Sequence, residues 1–437
     1  MLNKNQLKAV KCKRKNILVL AGAGSGKTYT IVKRIKYLIE NGVDPKKILC
    51  ISFTNDAVNK LKKDINNKEV DVLTFHKLAL NIIGRTKEVL TENLLYDVIM
   101  DTFSNNTLLG IYKISKDEIY KLIETFINLF KSKNYELENF YKMIKKADAK
   151  DKSFLKEIMK CYVCYETYLN KENLMDFNDM INMAIKKVDT YKKEYKHIII
   201  DEYQDTSNTK LELIKKLKNK YNANLFLVGD DYQSIYRFTG SDINIITKIR
   251  SYFPLIKIIK LKYTYRNSNE LIHVANRFIM KNINQKRKNI KSYKHNKFPI
   301  EIVYYDDLNK KIKEVINRDN IKNVFILSRN NKDLENINLD NINYKKMSVH
   351  KSKGLQEKYV FIINVNNNSN GFPNKYKDHP ILKYVNNYRE YYPFEEERRL
   401  FYVALTRCEE KVYIFVPINN ESTFIKEIKK NKGVILS

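Results

Sequence analysis

Tryptophan is absent from this 437-residue chain, and cysteine, proline and glycine are sparse at 5, 7 and 11 residues. Five cysteines form no disulfide framework, which argues against a stapled secreted scaffold and predicts a reducing, cytoplasmic setting. No stretch approaches the ~20 apolar residues of a membrane-spanning helix, so no membrane partner is expected. The opening Met1-Leu2-Asn3-Lys4-Asn5-Gln6 has no apolar leader run. Internal repeats and long low-complexity linkers are also missing. Acidic residues are outnumbered 50 to 81 by basic ones, for a net charge of +31. That excess invites a nucleic-acid partner. The chain is also rich in Lys, Asn, Ile and Tyr, which AT-rich codons favour, so codon composition accounts for the lysine about as readily. Arginine supplies about one in six of the 81 basic residues, so its positions say more than the total.

The length predicts two to four domains. Short apolar runs at 17–20, 48–53, 198–200 and 225–228, and again at 324–327, 359–365 and 412–416, read as strands of two α/β units with parallel sheets. The split falls near Phe253-Pro254. Between 81 and 174 the pattern is helical instead. Ser115 with Glu118 forms a capping box, and Ile119, Leu122, Ile123, Phe126 and Phe130 line one face. The expected division is therefore 1–80 with 175–254 as the first domain, 81–174 as a helical insertion, and 255–437 as the second domain.

Two segments carry phosphate chemistry. Ala21-Gly22-Ala23-Gly24-Ser25-Gly26-Lys27-Thr28 follows an apolar strand and opens a helical pattern. Small residues there let backbone N–H groups face phosphate oxygens, with a helix N-terminus behind them. Lys27 would reach the β- and γ-phosphates of a nucleotide, and the Thr28 hydroxyl would ligate Mg²⁺. Asp201-Glu202-Tyr203-Gln204-Asp205 ends a second strand. Asp201 would hold Mg²⁺ and Glu202 would orient or deprotonate the attacking water. Gln233, after the strand at 225–228, stands where a γ-phosphate can be sensed. Arg266 and Arg407 in the second unit are candidates to stabilise transition-state charge across a cleft. Cys161 and Cys164 form half a zinc pattern. Cys161 shares a helical face with Ile158 and Leu169, however, and no second cysteine pair completes a site.

In this order the segments resemble the superfamily 1A helicases of the UvrD/Rep/PcrA type, over nearly the whole chain. Leu2-Asn3 with Gln6 resembles that family's adenine-reading motif. Phe53-Thr54-Asn55, Thr74-Phe75-His76 and Met175-Asp176-Phe177 resemble its single-strand-contacting segments. Asp201 to Thr206, Gly229 to Arg237, Tyr265-Arg266, His350 to Leu355 and Glu395 to Arg407 resemble its motifs II to VI. The resemblance implies two RecA-like P-loop domains, ATP and Mg²⁺ as cofactors, and single-stranded DNA or its junction with duplex as partner. It implies ATP-dependent 3′–5′ DNA helicase or translocase activity in DNA repair or replication, with proteins of those pathways as further partners. Gln6 would read adenine, with Tyr29 and Tyr265 stacking on it beside the loop from Ala21 to Thr28. Phe53, Thr54, Thr74, His76, Phe177, Tyr236, Phe238 and His350 would contact the strand. Nothing in the residues reads a 2′-hydroxyl, so RNA stays open.

Departures from the family pattern are informative. Tyr29 stands where Arg is usual, Phe238 where Trp is usual, Thr239 where Arg is common and Gln356 where Glu is usual. Only about twenty residues separate Leu327 from Ser348, where the family carries a second helical insertion of well over a hundred. That shortening keeps a second reading in play, a protein-displacing translocase that unwinds poorly. An ATP-gated nucleic-acid binding module is a third.

Overall fold

The computed structural model describes residues 1–84, 86–90, 93–339, 342–386 and 390–437. Its first sheet has strands β1 (Asn16–Leu20), β2 (Ile48–Ser52), β3 (Asp71–Thr74), β4 (His197–Ile200), β5 (Asn224–Gly229) and β6 (Lys257–Lys260), in the order β3-β2-β4-β5-β1-β6. All neighbours are parallel, for example Val19 beside Val228 and Ile51 beside Ile200. Leu18, Leu20, Leu49 and Ile51 enter one apolar core, whereas Ile17, Val19, Ile48 and Cys50 enter another on the opposite face. Period-two alternation with both faces covered gives continuous apolar runs in the sequence. β6 lies beyond residue 254, so the chain returns to the first sheet after Phe253-Pro254 and leaves it only after Lys260. Lys257-Ile258-Ile259-Lys260 is too short and too basic to announce itself as a strand.

The second sheet comprises β7 (Ile300–Tyr305), β8 (Asn323–Ser328), β9 (Asn343–Ser348), β10 (Glu357–Ile362), β11 (Cys408–Pro417) and β12 (Val434–Leu436), again all parallel, ordered β9-β8-β10-β11-β7-β12. β8 and β9 are neighbours joined by residues 329–342, whose described residues include a single short turn of helix, Asn331–Leu334. The second helical insertion has no place there.

The insertion that is present contains helices Leu94–Thr102, Thr107–Tyr112, Lys116–Lys131, Leu137–Lys146 and Ala149–Lys171. Its neck is a parallel pair of two-residue strands, Glu88–Val89 and Leu174–Met175. The Ser115–Glu118 capping box forms as expected, and Cys161 is fully buried in this core. Phe130 stacks on Phe140 with ring centroids 4.1 Å apart. A strap from the second lobe also enters this core, through Ile381, Leu382 and Val385. Asp151 anchors the strap, accepting from Tyr384 at 3.1 Å and pairing with Lys383 at 2.6 Å.

Phe130→Ala should lower stability by ~3–5 kcal/mol, the usual cost of truncating a buried aromatic ring. A denaturant midpoint measurement checks it.

Candidate nucleotide and nucleic-acid site

In parallel sheets the loops leaving the C-terminal strand ends converge on one edge. Here β1 leads into the loop from Ala21 to Gly26 and then the helix Lys27–Glu40. Gly24 and Gly26 have φ of 67° and 78°, a backbone that side chains rarely adopt. A methyl on Gly24 would lie 2.5 Å from Arg266 Cβ and 2.6 Å from Thr264 Oγ1. The loop and the segment carrying Arg266 are thus in direct contact, and the Tyr265 N–H donates to the Gly24 carbonyl at 2.9 Å.

Lys27, Thr28, Tyr29, Glu202, Gln233, Tyr265, Arg266 and Arg407 line one cleft of about 1020 Å³. Lys27 Nζ donates to Glu202 Oε2 at 2.6 Å, and Gln204 Nε2 donates to the same oxygen at 2.6 Å. Glu202 sits at φ 47°, an uncommon backbone for a non-glycine residue. Asp201 is buried beside it. Burial and then the neighbouring Glu202 charge push the Asp201 carboxyl up. Burial opposes ionisation of Glu202 as well, but the Lys27 ammonium outweighs it and holds that carboxyl down. Two adjacent carboxylates, Asp201 buried and Glu202 half-buried, against one lysine fit a divalent cation.

The opposite wall is cationic. Arg407 follows the helix Glu395–Leu405 and donates to Gln233 Oε1 at 3.2 Å and to the Leu355 carbonyl at 3.3 Å. Arg266 donates to the Thr406 carbonyl at 3.0 Å and to Gln356 Oε1 at 2.8 Å. Gln356 therefore offers Arg266 a neutral oxygen where a glutamate would cancel its charge. Burial, then repulsion from Arg266, lowers Arg407 to about 9. Two desolvated guanidiniums facing a P-loop fit a polyphosphate. At the far end Gln6 is buried; its Oε1 accepts from the Asn3 N–H at 3.0 Å and its Nε2 donates to the Ser25 carbonyl at 3.1 Å. Each end of the amide keeps one further hydrogen-bonding valence for a base edge. Asn3 Nδ2 donates to the Tyr265 hydroxyl at 2.7 Å, and Tyr29 and Tyr265 are 40% and 44% exposed.

The other predicted residues form two aromatic groups. Thr54 and Thr74 cap the helices Asn55–Ile65 and Phe75–Ile83, each accepting a backbone N–H at 3.2 Å. Beside them His76 stands edge-on to Phe177 at 5.1 Å, and Lys210 lies 4.7 Å from the Phe53 ring. The second group is Tyr236, Phe238 and His350, with Phe238 and His350 rings 5.6 Å apart. It opens on a separate cleft of about 950 Å³ that also presents Lys351, Lys375 and Lys377. Phe177 and Phe238 are more than half exposed. Burial and Lys210 lower His76 to about 4; burial, Arg329 and Lys353 do the same to His350.

Sequence reasoning missed what joins the lobes. Lys288 is buried between Asp230 and Asp231, 2.7 Å from Asp231 Oδ1. Lys353 reaches across to Asp205 and to the Gln233 carbonyl at 2.8 Å. In a chain this rich in lysine, Lys288 does not stand out; Lys353 lies in the His350 to Leu355 segment, but its reach to Asp205 is visible only in the fold. Arg399 donates to the Ser234 carbonyl at 2.7 Å.

Fold and cleft define a two-lobed P-loop protein with arginines supplied across the cleft. The UvrD/REP helicase N-terminal domain matches residues 2–254, and the UvrD-like helicase C-terminal domain matches residues 326–417. The chain belongs to the UvrD/REP helicase family. ATP-dependent DNA helicase Rep of Buchnera aphidicola from Acyrthosiphon pisum is 34% identical over 310 residues, 66% of this chain and 46% of that protein. ATP-dependent DNA helicase PcrA of Bacillus subtilis is 31% identical over 319 residues, 70% and 42% respectively. DNA helicase IV of Escherichia coli is 27% identical over 492 residues, covering 99% of this chain and 70% of its own length. The chain spans about half the length of the Rep and PcrA relatives it matches. Among the described residues no helix is long and apolar enough to cross a membrane.

Two outcomes are expected. Gly24→Ala should abolish nucleotide binding measured by titration calorimetry, because the added methyl meets Arg266 at a left-handed backbone position. The stability that His76, His197 and His350 contribute should fall as pH drops from about 6.5 toward 4, since all three bind protons less readily folded than unfolded. The raised carboxyls of Asp179 and Asp201 act in the opposite sense over the same window, so the histidine contribution is read by difference. Thermal melts of the parent and of His76→Asn across that window check the sign: the parent should lose more stability on acidification than the variant.

Proposed function

We propose that this protein is an ATP-dependent motor that moves 3′ to 5′ along single-stranded DNA and acts at junctions with duplex, in DNA repair or replication. The observation that carries the reading is the cleft in which Lys27, Glu202, Arg266 and Arg407 face one another. The division into 1–80 with 175–254, 81–174 and 255–437 is part of the proposal, with β6 as an outlying strand of the first lobe.

ATP would supply the transferable γ-phosphoryl group, and Mg²⁺, when bound, positive charge to offset that of the phosphates. Thr28 and Asp201 would hold the metal. Backbone N–H groups from Gly22 to Thr28 take the phosphates, Gln6 takes the adenine edge, and Tyr29 and Tyr265 flank the ring. Lys27 exchanges Glu202 for phosphate oxygens. Glu202 loses its ammonium partner by that exchange and becomes basic enough to accept a proton from water. Arg266 and Arg407 neutralise charge on the departing phosphoryl oxygens, and Gln233 reports its presence to Arg407.

Lobe closure follows because the arginines and the P-loop sit on different lobes. Loss of the γ-phosphate releases them. Phe53, His76 and Phe177 on one lobe, and Tyr236, Phe238 and His350 at its border with the other, stack bases without reading sequence. Thr54 and Thr74 mark two helix N-termini suited to backbone phosphates. The two histidines act as neutral rings at neutral pH.

The short link between β8 and β9 favours a second reading, translocation and protein displacement with weak unwinding. Lys27→Ala should cut DNA-stimulated ATPase at least about 100-fold, roughly the loss expected from removing a main phosphate contact. Streptavidin displacement from 3′- and 5′-biotinylated oligonucleotides, run beside unwinding of a 3′-tailed duplex, separates the readings. Faster displacement at the 5′ end is expected; equal displacement at both ends rejects directed movement.

A further inference from the structure

Lys131 closes the insertion helix Lys116–Lys131, and its side chain is only 3% exposed. Three carboxylates surround its ammonium: Glu166 Oε1 at 2.5 Å, Asp176 Oδ2 at 2.7 Å and Asp179 Oδ1 at 2.8 Å. The Tyr165 ring lies 5.0 Å away, and its hydroxyl donates to Asp176 Oδ2 at 3.2 Å. Asn182 Nδ2 donates to the Lys131 carbonyl at 3.1 Å. Tyr165 and Glu166 belong to the insertion; Asp176, Asp179 and Asn182 belong to the segment that returns to the first lobe. A lysine needed only for packing would be satisfied by Glu166 on the neighbouring helix.

The other two carboxylates are already engaged. Asp176 and Asp179 form the capping box of the helix Phe177–Lys187. The Asp179 N–H donates to Asp176 Oδ1 at 2.8 Å, and the Asp176 N–H donates to Asp179 Oδ2 at 3.1 Å. Lys131 takes the remaining oxygen of each. Phe177 is the first residue of that helix, and a cap fixes where a first-turn side chain points.

We propose that Lys131 is a positioning residue for the nucleic-acid face: it locks the Asp176–Asp179 cap so that Phe177 stands beside His76, ready to take a base. The inference rests on the single-strand reading of that face. It makes the helical insertion the support of a base-stacking residue on the first lobe.

The charges around Lys131 do not cancel, which gives the arrangement a pH signature. Burial, then Asp176, raises the Asp179 carboxyl to about 6 even with Lys131 in place. Facing it are Lys131 from one insertion helix, Tyr162, Tyr165 and Glu166 from another, and Asp176 from its own helix. Glu136 and Lys186, paired with each other at 3.0 Å, stand on the solvent side. Removing the ammonium would leave three carboxylates repelling one another, and acid would relieve that repulsion.

The absence of tryptophan offers a direct test, because Phe177→Trp introduces a single tryptophan at the position in question, which red-edge excitation selects over the tyrosines. In that background, Lys131→Met should raise acrylamide quenching at about pH 8 without DNA. It should weaken binding of a labelled oligothymidylate about tenfold, within the ~1–3 kcal/mol of one stacked base. Both effects should shrink at about pH 5.5, and Lys131→Arg should keep both near the parent. Quenching and affinity unchanged in Lys131→Met overturn the inference. If the parent fails to bind the oligonucleotide, the single-strand reading falls, while DNA-free quenching still decides whether Lys131 sets Phe177. Should Lys131→Met not fold, Asp179→Asn serves: it keeps a capping side chain and should remove the pH dependence of the quenching. Persistence of that dependence also overturns the inference.

Discussion

Charge held apart in the central cleft organises this molecule. Arg266 and Arg407 are desolvated next to each other, which depresses Arg407, while Asp201 and Glu202 crowd the opposite wall, with Lys27 paired to Glu202. Neither wall is electrostatically content alone. A bound triphosphate with its metal would satisfy both at once, anions toward the arginines and cation toward the carboxylates. On the proposed function, that complementarity would tie closure of the lobes to the presence of one phosphoryl group. Gln356 matters for the same reason, since a neutral partner orients Arg266 without spending its charge.

Parallel topology then decides what the cleft can move. The phosphate loop, the two carboxylates, Gln233 and the capped helices at Thr54 and Thr74 all leave strands at one sheet edge. A small rotation between lobes would therefore displace His350, on the second lobe, relative to Phe177 and Phe238 on the first. Lys288 and Lys353 tie the lobes through Asp230, Asp231 and Asp205.

Much of this was legible in the residues because its physics is local. A glycine loop between a strand and a helix, two acids at a strand end, and an apolar run covered on both faces each leave a short signature. The shortened link after Leu327 was also readable, and β8 and β9 lie side by side as it required. The unread parts depend on tertiary placement. β6 is four residues long with lysine at both ends, and its membership in the first sheet depends on pairing with β1. Lys288, Lys353 and Lys131 are buried cations in a chain where lysine is everywhere, so only the carboxylates folded around them mark them out. Gln6 was singled out through the family resemblance, but its engagement with Asn3 and Ser25 was not legible.

The strap carrying Ile381, Leu382 and Val385 has a mechanical consequence. First lobe, second lobe and helical insertion each touch the other two, through the cleft, the neck at Glu88–Val89, and the strap. Three bodies joined pairwise form a closed truss. Any rotation at one joint would have to be absorbed at the others, so a change in the cleft would bear on the contacts of Asp151, in the helical insertion, with Lys383 and Tyr384.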